Sequence, residues 1–211
     1  MLTITRKSEI RPIIANILKF YQAGKLSTFS ERFYQDLLAV KVKFPLLELA
    51  AESIYANLPE KDHIPFCEKI TAHQSMGGNV VIAIVLKERM SKHLVESLEK
   101  ATQYIAQGQQ WYVSDIIGER VFGNGILQFP TQVLPRMRAL RHHESQWVVR
   151  AIGAGSHLAT KRGLDKTVAT EVFQLLLHLG GSNNYQIQRG IGWAAKTMAK
   201  FHPDIIEDYT T

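Results

Sequence analysis

Three tryptophans each keep a charged residue within about one helical turn. Trp111 precedes Asp115 by four positions, Trp147 precedes Arg150 by three, and Trp193 precedes Lys196 by three. Residues three or four apart share a helix face, so each pair sets an indole beside a charge. An indole in such a place either packs in the core, the commoner role of a buried tryptophan, or offers its face to a ligand. Asp115 lies in the run Gln110-Trp111-Tyr112-Val113-Ser114-Asp115-Ile116-Ile117, between apolar neighbours. From its surroundings alone it is either one half of an ion pair or a carboxylate displayed for chemistry.

Other chemistries lack their residues. The chain contains no HExxH, no CxxC, no Walker loop and no G-x-S-x-G elbow. Cys67 is the only cysteine, which excludes an internal disulfide and any multi-cysteine metal centre. Adjacent His142 and His143 point about 100° apart on a helix and cannot chelate one ion together. Gly153-Ala154-Gly155 lies within a helical pattern with no strand before it, so close helix packing is expected there rather than a phosphate loop.

The charge balance narrows the partner. There are 25 Lys and Arg against 19 Asp and Glu, a net of +6, and the sequence pI is near 9.4. Between Ile116 and Lys200 stand 11 basic and 4 acidic residues, net +7, so the remainder of the chain sums to −1. Arg120, Arg136, Arg138, Arg141 and Arg150 fall close together in that stretch. Guanidinium groups suit phosphate, so an anionic partner competes with a merely solvated basic face.

The elements that must position these residues read as helices. Ile10, Ile13, Ile14, Ile17, Leu18 and Tyr21 form one apolar stripe, stopped by Gly24. Val168, Val172, Leu175, Leu176 and Leu179 form another, capped near Asp165 and closed by Gly180-Gly181. Further helices are expected near 30–40, 45–57, 62–74, 79–90, 92–107, 110–122, 130–141, 145–161 and 184–201. The expected separators are Leu58-Pro59, Gly77-Gly78, Gly123-Asn124-Gly125 and Ser182-Asn183-Asn184. Val80 to Leu86 is β-branched enough for a buried strand, but a strand without a partner would leave its backbone unsatisfied, so a helix is expected. About eleven helices joined by short loops, with tryptophans 36 and 46 residues apart, suggest stacked helical hairpins. The expectation is one all-α domain over 1–211, a curved solenoid of antiparallel helix pairs whose concave surface suits a rod-like partner. No apolar run is long enough for a membrane span, and Met1 to Arg11 lacks the apolar centre of a signal peptide. A soluble, cytoplasmic monomer is expected.

Taken in order, Trp111-x-x-x-Asp115, Trp147-x-x-Arg150, and Ile191-Gly192-Trp193 followed by His202-Pro203-Asp204 resemble the HEAT-like-repeat alkylpurine DNA glycosylases of the AlkD type. The resemblance spans roughly Val40 to Ile206 and is strongest over the last hundred residues. It implies a right-handed α–α superhelix that binds duplex DNA containing alkylated purines. The implied reaction cleaves the N-glycosidic bond of cationic N3- and N7-alkylated purines, with no cofactor. By the same resemblance Asp115 corresponds to the catalytic aspartate and Trp111 to the indole beside it. Arg150 corresponds to the arginine at the DNA backbone, Trp193 to the second indole of the cleft, and Trp147 to a packing tryptophan. Lys196 stands where the family often has arginine, keeping the charge without the bidentate geometry.

That chemistry is physically coherent with one carboxylate. An alkylated purine is already cationic and leaves without protonation, whereas ordinary glycosidases need a carboxyl pair. Asp115 would stabilise the oxocarbenium-like sugar and could orient water. The indoles would face the developing cation, for about 0.5–2 kcal/mol. In this family the lesion is thought to stay stacked, so a cleft without a deep flipping pocket suffices. Two other readings compete: a non-catalytic HEAT-repeat DNA-binding paralogue, and a protein-scaffolding helical repeat, which fold alone does not exclude.

Overall fold

A computed structural model describes residues 3–209 of the chain. Its described residues are almost entirely helical. The chain divides between Glu88 and Arg89 into two compact units.

The first unit holds β1 (Thr3–Ile4), α1 (Lys7–Gln22), α2 (Leu26–Phe33), a π-helical turn at Tyr34–Leu38, β2 (Lys41–Val42), α3 (Phe44–Asn57) and α4 (Glu60–Thr71). The stripe expected from Ile10 to Leu18 does face the core, with Ile10, Ile14, Ile17 and Leu18 buried. Gly24 follows α1 at φ +73, a left-handed turn that favours glycine. Phe29 and Phe33 both meet Phe66 of α4, with ring centroids 5.6 and 5.2 Å apart. His63 ties α4 to the end of α3, its Nε2 lying 3.0 Å from the carbonyl oxygens of Tyr55 and Leu58. One pairing escaped the sequence reading: β1 and β2 run parallel for two residues, Thr3 opposite Lys41 and Ile4 opposite Val42.

The chain leaves this unit within α5 (Met76–Gly108). Val80 to Leu86 are helical and each at most 3 % exposed, so the run lost its 3.6 periodicity because every side is buried. The two helices expected at 79–90 and 92–107 are present within α5, separated by a kink at His93, where φ −132 and ψ 52 are non-helical. Gly77 and Gly78 fall inside its first turn rather than between helices.

The second unit continues with α6 (Trp111–Ile117), a π-helical segment (Gly118–Gly123), α7 (Asn124–Gln128), α8 (Pro130–Leu140), α9 (Gln146–Lys161), α10 (Lys166–Gly180), α11 (Tyr185–Phe201) and α12 (Pro203–Glu207). Gly123-Asn124-Gly125 is not the expected break. Helical backbone runs through it without interruption, and the chain turns only at Phe129. The reason lies in the neighbours: a Cβ on Gly123 would sit 2.9 Å from Leu158 atoms and one on Gly125 3.3 Å from Val133. These glycines are selected for contact rather than for turning. The cap expected at Asp165 holds, since its side chain accepts from the Val168 N–H, and Asn184 of the expected separator also caps α11, accepting from Gln186 and Ile187. Among the described residues no helix is long and apolar enough to cross a membrane.

Candidate active site on α6, α9 and α11

Three helical segments of the second unit approach each other at backbone distance, and small residues permit it. A Cβ added to Gly153 of α9 would lie 2.3 Å from the carbonyl carbon of Gly190 on α11. On the other side of α9, a Cβ on Gly118 would lie 2.9 Å from the Ala151 carbonyl oxygen, and one on Gly155 2.7 Å from Phe122. The close packing expected of Gly153-Ala154-Gly155 is therefore present on two sides of one helix. Ser114, fully buried, adds a cross-link by donating to the Trp147 carbonyl oxygen at 2.7 Å.

This packing brings Asp115 of α6 to Arg150 of α9. Arg150 Nε donates to Oδ1 at 2.8 Å and Nη2 donates to Oδ2 at 2.7 Å, a two-point, charge-assisted pair. Nη1 donates to Gln186 Oε1 of α11 at 3.0 Å, so one guanidinium joins all three elements. The Arg150 and Asp115 side chains are 11 % and 15 % exposed. Of the roles open to Asp115 from sequence, the ion pair is the one present, and the carboxylate still keeps an edge toward solvent.

A second group of side chains lies one turn along. Glu119 follows Asp115 by four residues, and its Oε1 is 4.0 Å from His157 Nε2 on α9. The His157 ring stacks on Trp193 of α11, with centroids 3.9 Å apart. His157 Nδ1 is 2.6 Å from Thr197 Oγ1, which itself lies 3.1 Å from the Trp193 carbonyl oxygen. The single hydroxyl proton of Thr197 goes to that carbonyl, so Thr197 accepts from Nδ1–H and the lone pair of Nε2 faces Glu119. Burial holds the His157 imidazole below its usual range, Lys161 adds to this, and Asp115 opposes it. Burial likewise pushes the Glu119 carboxyl up; Arg120 pulls it down and the charge of Asp115 adds to the rise.

The residues singled out from sequence thus fall into three placements. Asp115 and Arg150 meet directly, and Trp193 joins the same neighbourhood through His157. Trp111 opens α6 one turn before Asp115 and is 52 % exposed, touching Tyr112 edge-on rather than packing in the core. Lys196 is exposed on α11, and its ammonium makes no ion pair among the described residues. Trp147 is half-buried at the start of α9. Glu119, His157 and Gln186 were not anticipated. Two carried a signal: Glu119 extends the Trp111–Asp115 row by another four residues, and His157 lies seven after Arg150 on the same face.

Residues 19–211 match the family described as DNA alkylation repair enzyme. The chain belongs to that family. The match extends beyond the Val40 to Ile206 stretch of the sequence resemblance at both ends. No curated protein and no solved structure matched the chain. In this DNA alkylation repair family member, the matched region includes every residue of the two clusters.

Proposed function

We propose that this protein is a DNA glycosylase that hydrolyses the N-glycosidic bond of cationic N3- and N7-alkylated purines in duplex DNA. Membership of the DNA alkylation repair family supports the substrate. The observation that carries the reaction is Asp115, a carboxylate fixed by Arg150 on two oxygens and flanked by the exposed indole of Trp111.

The residues act as follows. A cationic purine departs with the bond's electron pair and leaves neutral, so no acid has to protonate it. Positive charge then appears on the sugar. Asp115, unable to rotate because Arg150 holds both oxygens, presents a preorganised negative edge to that charge. Trp111, and Trp193 braced by His157, would lay indole faces along the sugar, with the cation–π attraction that favours the charged intermediate. Arg150 has its guanidinium engaged with Asp115 and Gln186, so its part is to hold the carboxylate. Backbone phosphates are left to cations such as Lys161, Arg162 and Lys196, which position DNA without reading it. The helices are read as antiparallel HEAT-like pairs in a curved right-handed solenoid, and the protein as a cytoplasmic monomer that needs no cofactor.

One observation favours a second reading. A two-point salt bridge in a half-closed setting is also a structural staple, as a non-catalytic DNA-binding paralogue or a helical scaffold would keep it. Excision separates these. Wild-type protein incubated with methylated duplex should release N7-methylguanine or N3-methyladenine, and Asp115→Asn should bind the duplex and release nothing. Methylated duplex left intact by the wild type at low salt would sink the enzyme assignment.

A further inference from the structure

Hydrolysis of a cationic purine nucleotide frees a proton. The N–C bond breaks with its electron pair going to the purine, which becomes neutral. Water oxygen forms a new bond to the sugar carbon, and one water proton must depart. Asp115 accepts a guanidinium N–H on each oxygen, and a proton taken there would uncouple that charge-assisted pair.

Glu119 is differently furnished. Its nearest cationic neighbour is Arg120, at 3.6 Å from Oε2, and neither Glu119 oxygen has a hydrogen bond within 3.5 Å among the described residues. The side chain is 24 % exposed, open enough for water, and sits one turn from Asp115 on the same row. Opposite Oε1 stands the unprotonated Nε2 of His157, fixed in that tautomer by Thr197. The charges facing Glu119 are Asp115 and Arg120 from its own helical run, Lys161 from α9 and Arg162 just past its end, with the titratable His157 of α9 opposite; α7 carries none.

We propose that Glu119 is the general base of the reaction: its carboxylate, 24 % exposed, takes the proton of the attacking water and releases it to solvent, while Asp115 stabilises the sugar cation. This rests on the glycosylase reading and divides its two tasks between two carboxyl groups. Burial supports it by raising the Glu119 carboxyl above its ordinary value, which makes it a stronger base.

The test is single-turnover release of N7-methylguanine from methylated duplex by the full chain across a pH series, with duplex binding measured in parallel. Glu119→Gln should slow release by about 100-fold or more while duplex affinity stays unchanged. Glu119→Asp should restore part of the rate and displace the acid limb of the pH profile. If Glu119→Gln releases purine as fast as the wild type, the base is elsewhere and the glycosylase reading stands without this division. A wild type inert on methylated duplex overturns both. Should Glu119→Gln fail to fold, Glu119→Asp decides: a lowered rate with a moved acid limb supports the proposal, and an unchanged rate and profile overturns it.

Discussion

Gly153 and Gly190 meet so closely that a methyl group on the first would lie 2.3 Å from the carbonyl carbon of the second. No side-chain rearrangement relieves that contact, because both partners are backbone. Gly153→Ala must therefore push α9 and α11 apart. Overpacking costs about 1–3 kcal/mol in ordinary cores, and a backbone clash belongs at the upper end or beyond. A lowered urea midpoint should be accompanied by loss of the Arg150–Gln186 bond, which spans the same two helices. A Gly153→Ala variant as stable as the wild type would show that the helices do not cross this tightly.

Asp115 and Arg150 should prove energetically coupled. Removing one partner of a largely buried pair leaves the other charge uncompensated, at a cost of about 3–5 kcal/mol. Arg150→Met and Asp115→Asn should each destabilise the protein, and the double variant should lose less stability than the sum of the two. A double-mutant cycle in urea measures this, and additivity within error would contradict the pairing.

Trp111 offers the opposite signature. At 52 % exposure it contributes little to the core, so Trp111→Ala should change stability by no more than about 0.5 kcal/mol. If it faces the sugar, excision of methylated purine should nonetheless fall. A large drop in thermal midpoint would make Trp111 a packing residue.

Stability should depend on pH with two opposite signs. His157 has a depressed folded-state value, so below its ordinary 6.5 the unfolded chain takes up a proton that the folded one refuses. Its contribution is present above 6.5 and lost as pH falls through the depressed value. Glu119 is raised, so its contribution is full below its ordinary 4.5 and lost as pH rises through the raised value. Urea midpoints against pH should therefore fall less steeply on acidification in His157→Gln, and lose their decline with rising pH above 4.5 in Glu119→Gln. Curves parallel to the wild type would show that neither group is held as described.

Duplex binding should weaken as salt rises. Each phosphate contact contributes about 0.9 to the logarithmic salt slope, so Lys161→Ala or Lys196→Ala should reduce the slope by about that amount if the residue touches DNA. An unchanged slope would place that lysine off the DNA.

The helical fold was legible because amphipathic stripes such as Ile10 to Leu18 and caps such as Asp165 are local signals. Val80 to Leu86 required an argument about missing strand partners, since complete burial erased the periodicity. The glycines at 123 and 125 misled, because a glycine needed for contact looks the same in sequence as one needed for a turn. At the site, Asp115, Arg150 and the tryptophans stood out by type and spacing. The direct Asp115–Arg150 bond did not, because the partners are 35 residues apart and only the crossing of α6 and α9 joins them. Glu119 was hidden beside Arg120, where it reads as an ordinary surface ion pair.

The π-helical segment at Gly118–Gly123 winds one residue more into each turn than its α-helical flanks. Six residues wound this way turn the chain about as far as five do in an ordinary helix, so deleting one would let the coil relax to α pitch with Trp111 and Asp115 still facing α9. An inserted residue would have no such slack to take up, and would turn Trp111 and Asp115 away from α9 by about 100°. The supernumerary amino acid is thus a buffer in the helix register, tolerant of a one-codon loss and intolerant of a one-codon gain.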